Sequence, residues 1–316
     1  MTQQNFHNGE LRLQDKTGMR ERIDVMSRHM MRDFMPDEHR TFFKDLEYIF
    51  LGTVEGAGLP HATILTGSAG FIDSPDPQTL TIQTGDRRGK AALGALRLDA
   101  PVGVLGLDLS NRRRNRMHGR VAAMDETSLT IRVVQSYGNC PKYISLRDVA
   151  ARGAPAESGD VVTNTALDDA AKDLVQSADT FFIASYVKDG SAAPYEGVDI
   201  SHRGGQPGFV TVDSPTQITI PDYKGNYLFN TFGNLLLNPS AGLLFLDFET
   251  GAQLHIQGTA SIIDDVQSVA QFPGAQRLLR VQVNHVSREL GATPLRWRFV
   301  ETSPFSPNVT RKGKTQ

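Results

Sequence analysis

A hydroxyl, an imidazole and a guanidinium stand next to one another at Ser201, His202 and Arg203, inside the segment DISHRGGQPGFV that begins at Asp199 and ends at Val210. Gly204, Gly205 and Gly208, with Pro207, set a tight turn immediately after them. A second polar cluster, PDYKGNYLFNTFGNL, runs from Pro221 to Leu235 and carries Asp222, Lys224, Asn226, Asn230 and Asn234. The three Asn residues recur at i, i+4 and i+8, so a short helix would place them on one face. Cations neutralise phosphate, while hydroxyls and amides hydrogen-bond to polar atoms, so the set suits a phosphorylated polar ligand. Turn and cap chemistry is the plainer reading of the Asn residues alone.

The run RRRNR from Arg112 to Arg116 has two readings, a solvated strand face or an anion site. SYGNCPKYISLR, from Ser136 to Arg147, holds the single cysteine, Cys140, before Pro141. A structural thiol in a turn fits Cys140 better than a nucleophile, because no base stands beside it in sequence. Lys142, Tyr143 and Arg147 are candidates for inter-domain or ligand contacts. GDRRGKAA from Gly85 to Ala92 is one residue short of a phosphate loop and has Ala91 where a metal-binding hydroxyl is needed. GTVEGAG from Gly52 to Gly58 leads into Pro60 and a strand, where a dinucleotide fingerprint requires a helix. The eight His residues show no metal-ligand spacing.

The elements that must position these groups are mostly strands. From about Tyr48, short runs rich in Val, Ile, Leu, Thr and Phe alternate with Gly, Pro, Asp and Asn turns, the rhythm of a β-barrel or sandwich. Residues 1–18 read as a loose polar arm. Ile23, Met26, Met30 and Phe34 recur at helical spacing, and Pro36 starts a second short helix, the pair expected to lie on the first domain as a lid. The rhythm restarts after a turn-prone linker at 151–172, and it restarts as a repeat. Gly103, Asp108 and Gly119 return as Gly242, Asp247 and Gly258, each 139 positions later. In the second copy Leu254, Ile256, Gly258, Ala260 and Ile262 alternate with polar residues, which reads as a strand with one buried face. Carried back by 139 positions, Arg114, Arg116, His118 and Arg120 share the polar face of the matching strand. The expected units are 1–46 (arm and helices), 47–150 and 173–303 (the two copies) and 304–316 (a tail).

With 33 Lys+Arg against 35 Asp+Glu, the 316 residues carry no basic excess for coating nucleic acid. No stretch is apolar enough to span a membrane, and the start of the chain has no apolar core of a secretory signal. One Cys excludes an intramolecular disulfide, so a reducing cytoplasm is the expectation.

Taken in order, these motifs resemble the pyridoxamine 5'-phosphate oxidase-like proteins, and within them a two-barrel bacterial branch. Its pattern is RRRxRxxG, GNCPKYI, DISHRGGxPGFV, PDYxGN, GNL and NPxxGLLFxDFxxG. Here it is carried by Arg112–Arg116 with Gly119, Gly138–Ile144, Asp199–Val210, Pro221–Asn226, Asn238–Pro239 and Gly242–Gly251. The resemblance covers about residues 40–300. It implies a mainly β chain of two tandem Greek-key split barrels with FMN held between barrels. The barrels would pair within the chain, and the family also forms homodimers. It implies that Ser201, His202, Arg203, Lys224 and Asn226 lie at the FMN phosphate and ribityl chain. The wider candidate cofactor set adds Asp199, Pro221, Asp222, Asn230, Asn234 and Arg114, with Gln257, Arg116 and His118 the candidates near the flavin ring. The first copy has ILTGSAGF and TGDRRGK in place of DISHRGG and PDYKGN, so one competent half-site per chain is expected. The ending LRWRFVETSPFSP does not carry the substrate motifs of true pyridoxamine 5'-phosphate oxidases.

Two functions of different class follow. The first is an FMN-dependent oxidoreductase acting on a small-molecule substrate or electron donor. The second is a non-enzymatic FMN- or haem-binding protein, for which His202, His255 or His285 would be the axial ligand.

Overall fold

The computed structural model describes residues 5–55, 58–85, 91–94, 96–153, 161–188, 190 and 193–309. Residues 86–90 of the phosphate-loop-like segment, 56–57 of the glycine-rich turn, 1–4 of the arm, 154–160 of the expected linker and 310–316 of the tail lie outside them.

Three helices lead the chain: α1 (Asn8–Lys16), α2 (Arg20–Met30) and α3 (Asp37–Asp45). The first copy follows as β1 (Tyr48–Glu55), β2 (Leu59–Thr66), β3 (Ile72–Asp73), β4 (Thr79–Gln83), α4 (Ala91–Gly94), β5 (Pro101–Asp108), β6 (Arg113–Met124) and β7 (Ser128–Gly138). Strands β8 (Leu146–Arg152) and β9 (Val161–Asn164) lead to α5 (Asp169–Ser177). The second copy is β10 (Thr180–Val187), β11 (Gly197–Gly204), β12 (Thr211–Ser214), β13 (Gln217–Tyr223), α6 (Asn230–Leu237), β14 (Ser240–Leu246), β15 (Gln253–Ile263), α7 (Val266–Val269) and β16 (Ala275–Glu289). Strand β17 (Leu295–Glu301) closes the described fold and pairs with β8.

The duplication read from the glycines is a duplication of topology. One sheet runs β2-β1-β5-β6-β7-β4-β3 and the other β11-β10-β14-β15-β16-β13-β12, the same order strand for strand, with β9 added to β16. Each is a split barrel around its own core. Ile49, Leu51, Leu80, Val102 and Ile131 fill the first, and Phe181, Ile183, Ile218, Leu243 and Val281 the second. Even the irregularities repeat. The ladder β6–β7 shifts register between His118 and Gly119, and β15–β16 shifts between Gln257 and Gly258, 139 positions on. Gly119 and Gly258 sit so close to the carbonyls of Arg132 and Gln282 that a Cβ at either would strike them.

The two barrels meet through equivalent strands. Phe50 of β1 and Phe182 of β10 stack with centroids 3.6 Å apart. A Cβ on Gly103 of β5 would lie 2.7 Å from the Val198 carbonyl of β11, and one on Gly242 of β14 would strike the Pro60 carbonyl of β2. This interface alters one expectation from the sequence. The strand from Gln253 alternates as predicted, but Gln253 and His255 are buried as well, because their face packs on the other barrel.

The arm read as loose is helix α1. His7 is its N-cap: its Nδ1 accepts from the Gly9 N–H at 3.1 Å, and Glu10 accepts from the His7 N–H at 3.0 Å. These reciprocal bonds form a capping box, with His in place of the usual hydroxyl residue. Helix α3 follows Pro36 as predicted, whereas α2 ends at Met30, which leaves Phe34 outside it and exposed. Met35 and the α3 residues Phe42 and Phe43 complete the first core, whereas Ile23 of α2 packs with Tyr137 of the first barrel and Leu228 of the second. The expected lid over one domain therefore bridges two. No helix among the described residues is long and apolar enough to cross a membrane.

Candidate functional site

Strand β11 delivers the first polar triplet. Its pleat turns Ser201 and Arg203 to one side and His202 to the other, and all three border one cleft between the barrels. Strand β13 brings Pro221, Asp222 and Tyr223 to the same cleft, and the following loop and α6 bring Asn226 and Asn230. The first barrel contributes Arg114 and Arg116 from β6 and Asn139, Cys140, Lys142 and Tyr143 from the segment after β7. The cleft encloses about 960 Å³, its open mouth included.

Local conformation marks this cleft as constrained. Tyr143, Tyr227 and Phe229 all line it, and all hold left-handed backbone angles (φ 66°, 62° and 63°) that cost free energy for a residue with a Cβ. The Tyr143 hydroxyl donates to the Lys224 carbonyl at 3.0 Å, and the Asn226 amide donates to Asn139 at 2.9 Å. The loop from one barrel is thus tied to the loop from the other.

The charges are arranged in two groups. Asp222 is held between Arg203 at 2.8 Å and Arg277 of β16 at 3.3 Å. Burial pushes its carboxyl up while the two guanidiniums pull it back down. Arg116 forms an ion pair with Asp199, and Asp199 also accepts from the hydroxyls of Ser201 at 3.1 Å and Thr231 at 3.2 Å. Arg114 has no such carboxylate partner among the described residues. Its Nε is buried with no hydrogen-bond partner, and burial next to Arg116 lowers its pKa to about 10.

His202 sits in an unfavourable place for a charge. It is 6% accessible, and neither ring nitrogen finds a partner among the described residues. Burial, with Arg114, Arg147 and Arg203 near it, drives its pKa well below the usual value and keeps the ring neutral. Unpartnered buried polar atoms are costly, and ones bordering an open cleft can be satisfied by a ligand.

Several sequence candidates lie elsewhere. Lys224 is exposed on the loop at the mouth. Asn226 precedes α6 rather than joining it, so the three Asn residues do not share one helical face; the left-handed residues Tyr227 and Phe229 break the helix before Asn230. Asn234 points away from the large cleft and bonds to His7 at 2.8 Å and Ser185 at 3.1 Å. Asp199 and Asn234 border a smaller polar pocket with His118, Gln135 and Tyr137. Gln257 lines neither pocket and faces His285 across the β15–β16 ladder. Arg147 pairs with Asp179 at 2.6 Å and lies over the Phe248 ring, an inter-barrel role. Of the three histidines suggested as haem ligands, only His202 borders the cleft. His255 is stacked on His61 and bonded to the Ala62 carbonyl at 3.1 Å.

Reading the sequence missed Arg277, Thr231, Tyr137 and Glu10. The capping-box spacing of His7 and Glu10 was a legible signal for a helix start, but nothing in it points to where the helix docks. The other three sit among ordinary strand and helix residues and carry no local signal. No group of His, Cys, Asp and Glu able to hold a metal occurs among the described residues.

A sequence profile of the family described as pyridoxamine 5'-phosphate oxidase matches residues 35–153 and again 167–301. A search of curated proteins gave no match. Among solved structures, an FAD-binding protein from Mycobacterium smegmatis shares 16% identity over 40% of this chain and 99% of its own, with a TM-score of 0.27. An FMN-binding protein from Syntrophomonas wolfei shares 7% identity over 37% of this chain and 81% of its own, with a TM-score of 0.27. HupZ from Group A Streptococcus shares 13% over 38% and 91%, with a TM-score of 0.30. Likeness of this degree supports no functional statement.

Proposed function

This chain belongs to the pyridoxamine 5'-phosphate oxidase family, and with that membership as premise we propose that it is an FMN-binding flavoprotein and an oxidoreductase of small molecules. The observation that carries the reading is the inter-barrel cleft, where buried Arg114 and His202 atoms without partners face space bordered by cations from both barrels. A phosphate would satisfy Arg114 and the Lys142 side of the mouth, and Asn226 and Asn139 would hydrogen-bond to the polar chain. The donor set fits an anionic, elongated, partly aromatic ligand, with Tyr143, Tyr223 and Phe232 supplying apolar and ring surface.

When bound, FMN supplies hydride or electron transfer. The residues of this chain bind and orient it. Arg116 places positive charge in the cleft, and its pairing with Asp199 fixes the fork in one position. Neutral His202 offers a donor and an acceptor without adding charge. Reconstitution tests the reading. Purified protein titrated with FMN should quench flavin fluorescence and shift the visible bands, and dithionite should bleach them. Absence of any spectral change at saturating FMN refutes it.

Haem binding is the second reading, favoured by the unpartnered imidazole of His202. It predicts a Soret band that is lost in His202→Ala. The three arginines around that ring favour an anionic group beside it more than a metal at its nitrogen.

A further inference from the structure

Asn230 is the hinge of the hydrogen-bond network in the cleft, and it is held from outside both barrels. Its Oδ1 accepts from Arg116 at 3.3 Å and from the Tyr137 hydroxyl at 3.2 Å. Its Nδ2 donates to Glu10 of the N-terminal helix at 2.7 Å. An amide can present its oxygen to two donors only if the nitrogen end is fixed the other way, and Glu10 is the acceptor that fixes it. Without that acceptor the amide is free to turn its donor end toward Arg116, a cation that accepts nothing.

Glu10 is itself fixed. Its carboxyl is 3% accessible, accepts from the His7 N–H, and lies 3.4 Å from the His7 ring. The His7 ring bonds in turn to Asn234, one helical turn after Asn230. The helices carrying these groups touch through glycine. Cβ atoms on Gly9 or Gly233 would strike the facing helix, so α1 and α6 approach as closely as two backbones allow. More than two hundred residues of chain separate the partners. Such a contact between α1 and α6, the helix that brings Asn230 to the cleft, is a built part of the site.

We propose that the N-terminal helix completes the ligand cleft, with Glu10 a positioning residue that acts through Asn230 to hold Arg116 toward the bound flavin. This rests on the flavin reading above for the identity of the ligand, and on geometry for the role of Glu10. The titratable and charged groups around the carboxyl are His7 at the start of α1, Arg116 and His118 on β6, Tyr137 on β7, Tyr195 before β11 and Asp199 on it. Burial raises the Glu10 pKa to about 8, so the group is largely neutral near neutral pH. Above that value a carboxylate forms and offsets part of the Arg116 charge, and affinity for an anionic ligand falls.

The test is a double-mutant cycle on FMN affinity in the full chain, using Glu10→Ala, Asn230→Ala, the pair, and Glu10→Gln. Each single truncation should weaken FMN binding about tenfold, and the pair should be no weaker than Asn230→Ala alone. Glu10→Gln, which keeps an acceptor for Asn230, should stay within about twofold of the wild type and lose the fall in affinity above pH 8. Additive effects in the pair, or unchanged affinity in Glu10→Ala, overturn the proposal and leave the flavin reading standing. If the wild type ignores FMN, it and the four variants are titrated with inorganic phosphate, read as a thermal shift. The same non-additive pattern there upholds Glu10 and refutes only the flavin. A wild type that responds to neither probe overturns both.

Discussion

Arg116 and Asp199 meet across the barrel interface on one side of the molecule, and His255 and His61 occupy the same two places on the other. The correspondence follows from register. Arg116 pairs with Leu105 as His255 pairs with Leu244, and Phe50 faces Ile64 as Phe182 faces His202. The strand that gives Ser201, His202 and Arg203 to the large cleft is therefore matched by one with Thr63, Ile64 and Leu65 at the same register positions. Arg114 is answered by Gln253, whose amide donates to Thr293 at 2.8 Å. By sequence, Ala91 and Ala95 stand where α6 has Asn230 and Asn234. One scaffold thus carries a charged cleft with unpartnered atoms and a counterpart whose matching positions are apolar or already bonded. Where one copy turns polar groups to a cleft, the other uses matching positions such as Ile64 and Leu65 for packing.

The largest expected effect breaks this contrast at its centre. Arg116→Ala leaves Asp199 without its counter-charge and should cost about 3 kcal/mol of stability. It should also weaken FMN binding about 100-fold. His255→Ala, the matching change, should leave FMN affinity unaltered. Equal losses in the two variants, measured by fluorescence titration, would mean that the clefts are not different in kind.

Acid sharpens the comparison from the other side. Burial holds His61 at about 4 and His255 at about 3. The unfolded chain takes up protons near pH 6.5 while these rings stay neutral in the fold, so their contribution is present above about 6.5. It is lost as pH falls from about 6.5 toward 4 for His61 and 3 for His255, at about 1.4 kcal/mol per unit for each ring. Thermal melts from pH 7 to 4 should show this slope, and replacing both rings by Phe, which keeps the stack, should flatten it. A slope unchanged in that variant places the acid sensitivity in another group.

Glycine at the interface gives a smaller difference. Gly242→Ala drives a Cβ into the Pro60 carbonyl, a tighter approach than Gly103→Ala makes with Val198. Overpacking of this kind costs about 1–3 kcal/mol, so urea midpoints should fall in both and further in Gly242→Ala. The smallest effect is expected at Lys224, exposed at the mouth. Lys224→Ala should weaken FMN by less than about threefold, since an exposed charge acts through screened solvent. A loss as large as that of Arg116→Ala would put Lys224 on the phosphate.

Much of this was legible before any coordinates. The 139-residue offset of Gly103, Asp108 and Gly119 reports two barrels because each glycine answers a backbone constraint that recurs in each copy. Ser201, His202, Arg203, Asp222 and Asn226 border the cleft, and the two polar runs that interrupt apolar strands mark them in the sequence. What stayed hidden depends on distance along the chain. Arg277 looks like any outward strand residue until Asp222 is seen against it. Helix α1 reads as loose because its polar composition offers little apolar face; its seat is Leu13 in the second core together with hydrogen bonds to α6. The Asn face failed because left-handed Tyr227 and Phe229 cannot be read from side-chain spacing.

The central claim is that one cleft, shared by the two barrels, binds one flavin. Calorimetric titration of the purified full chain with FMN, repeated on Arg114→Ala, measures it directly. The expected result is one FMN per chain in the wild type, with affinity reduced about tenfold or more in Arg114→Ala, the loss of a charge-assisted hydrogen bond. Two equivalents per chain, or one equivalent bound as tightly without Arg114, would contradict it.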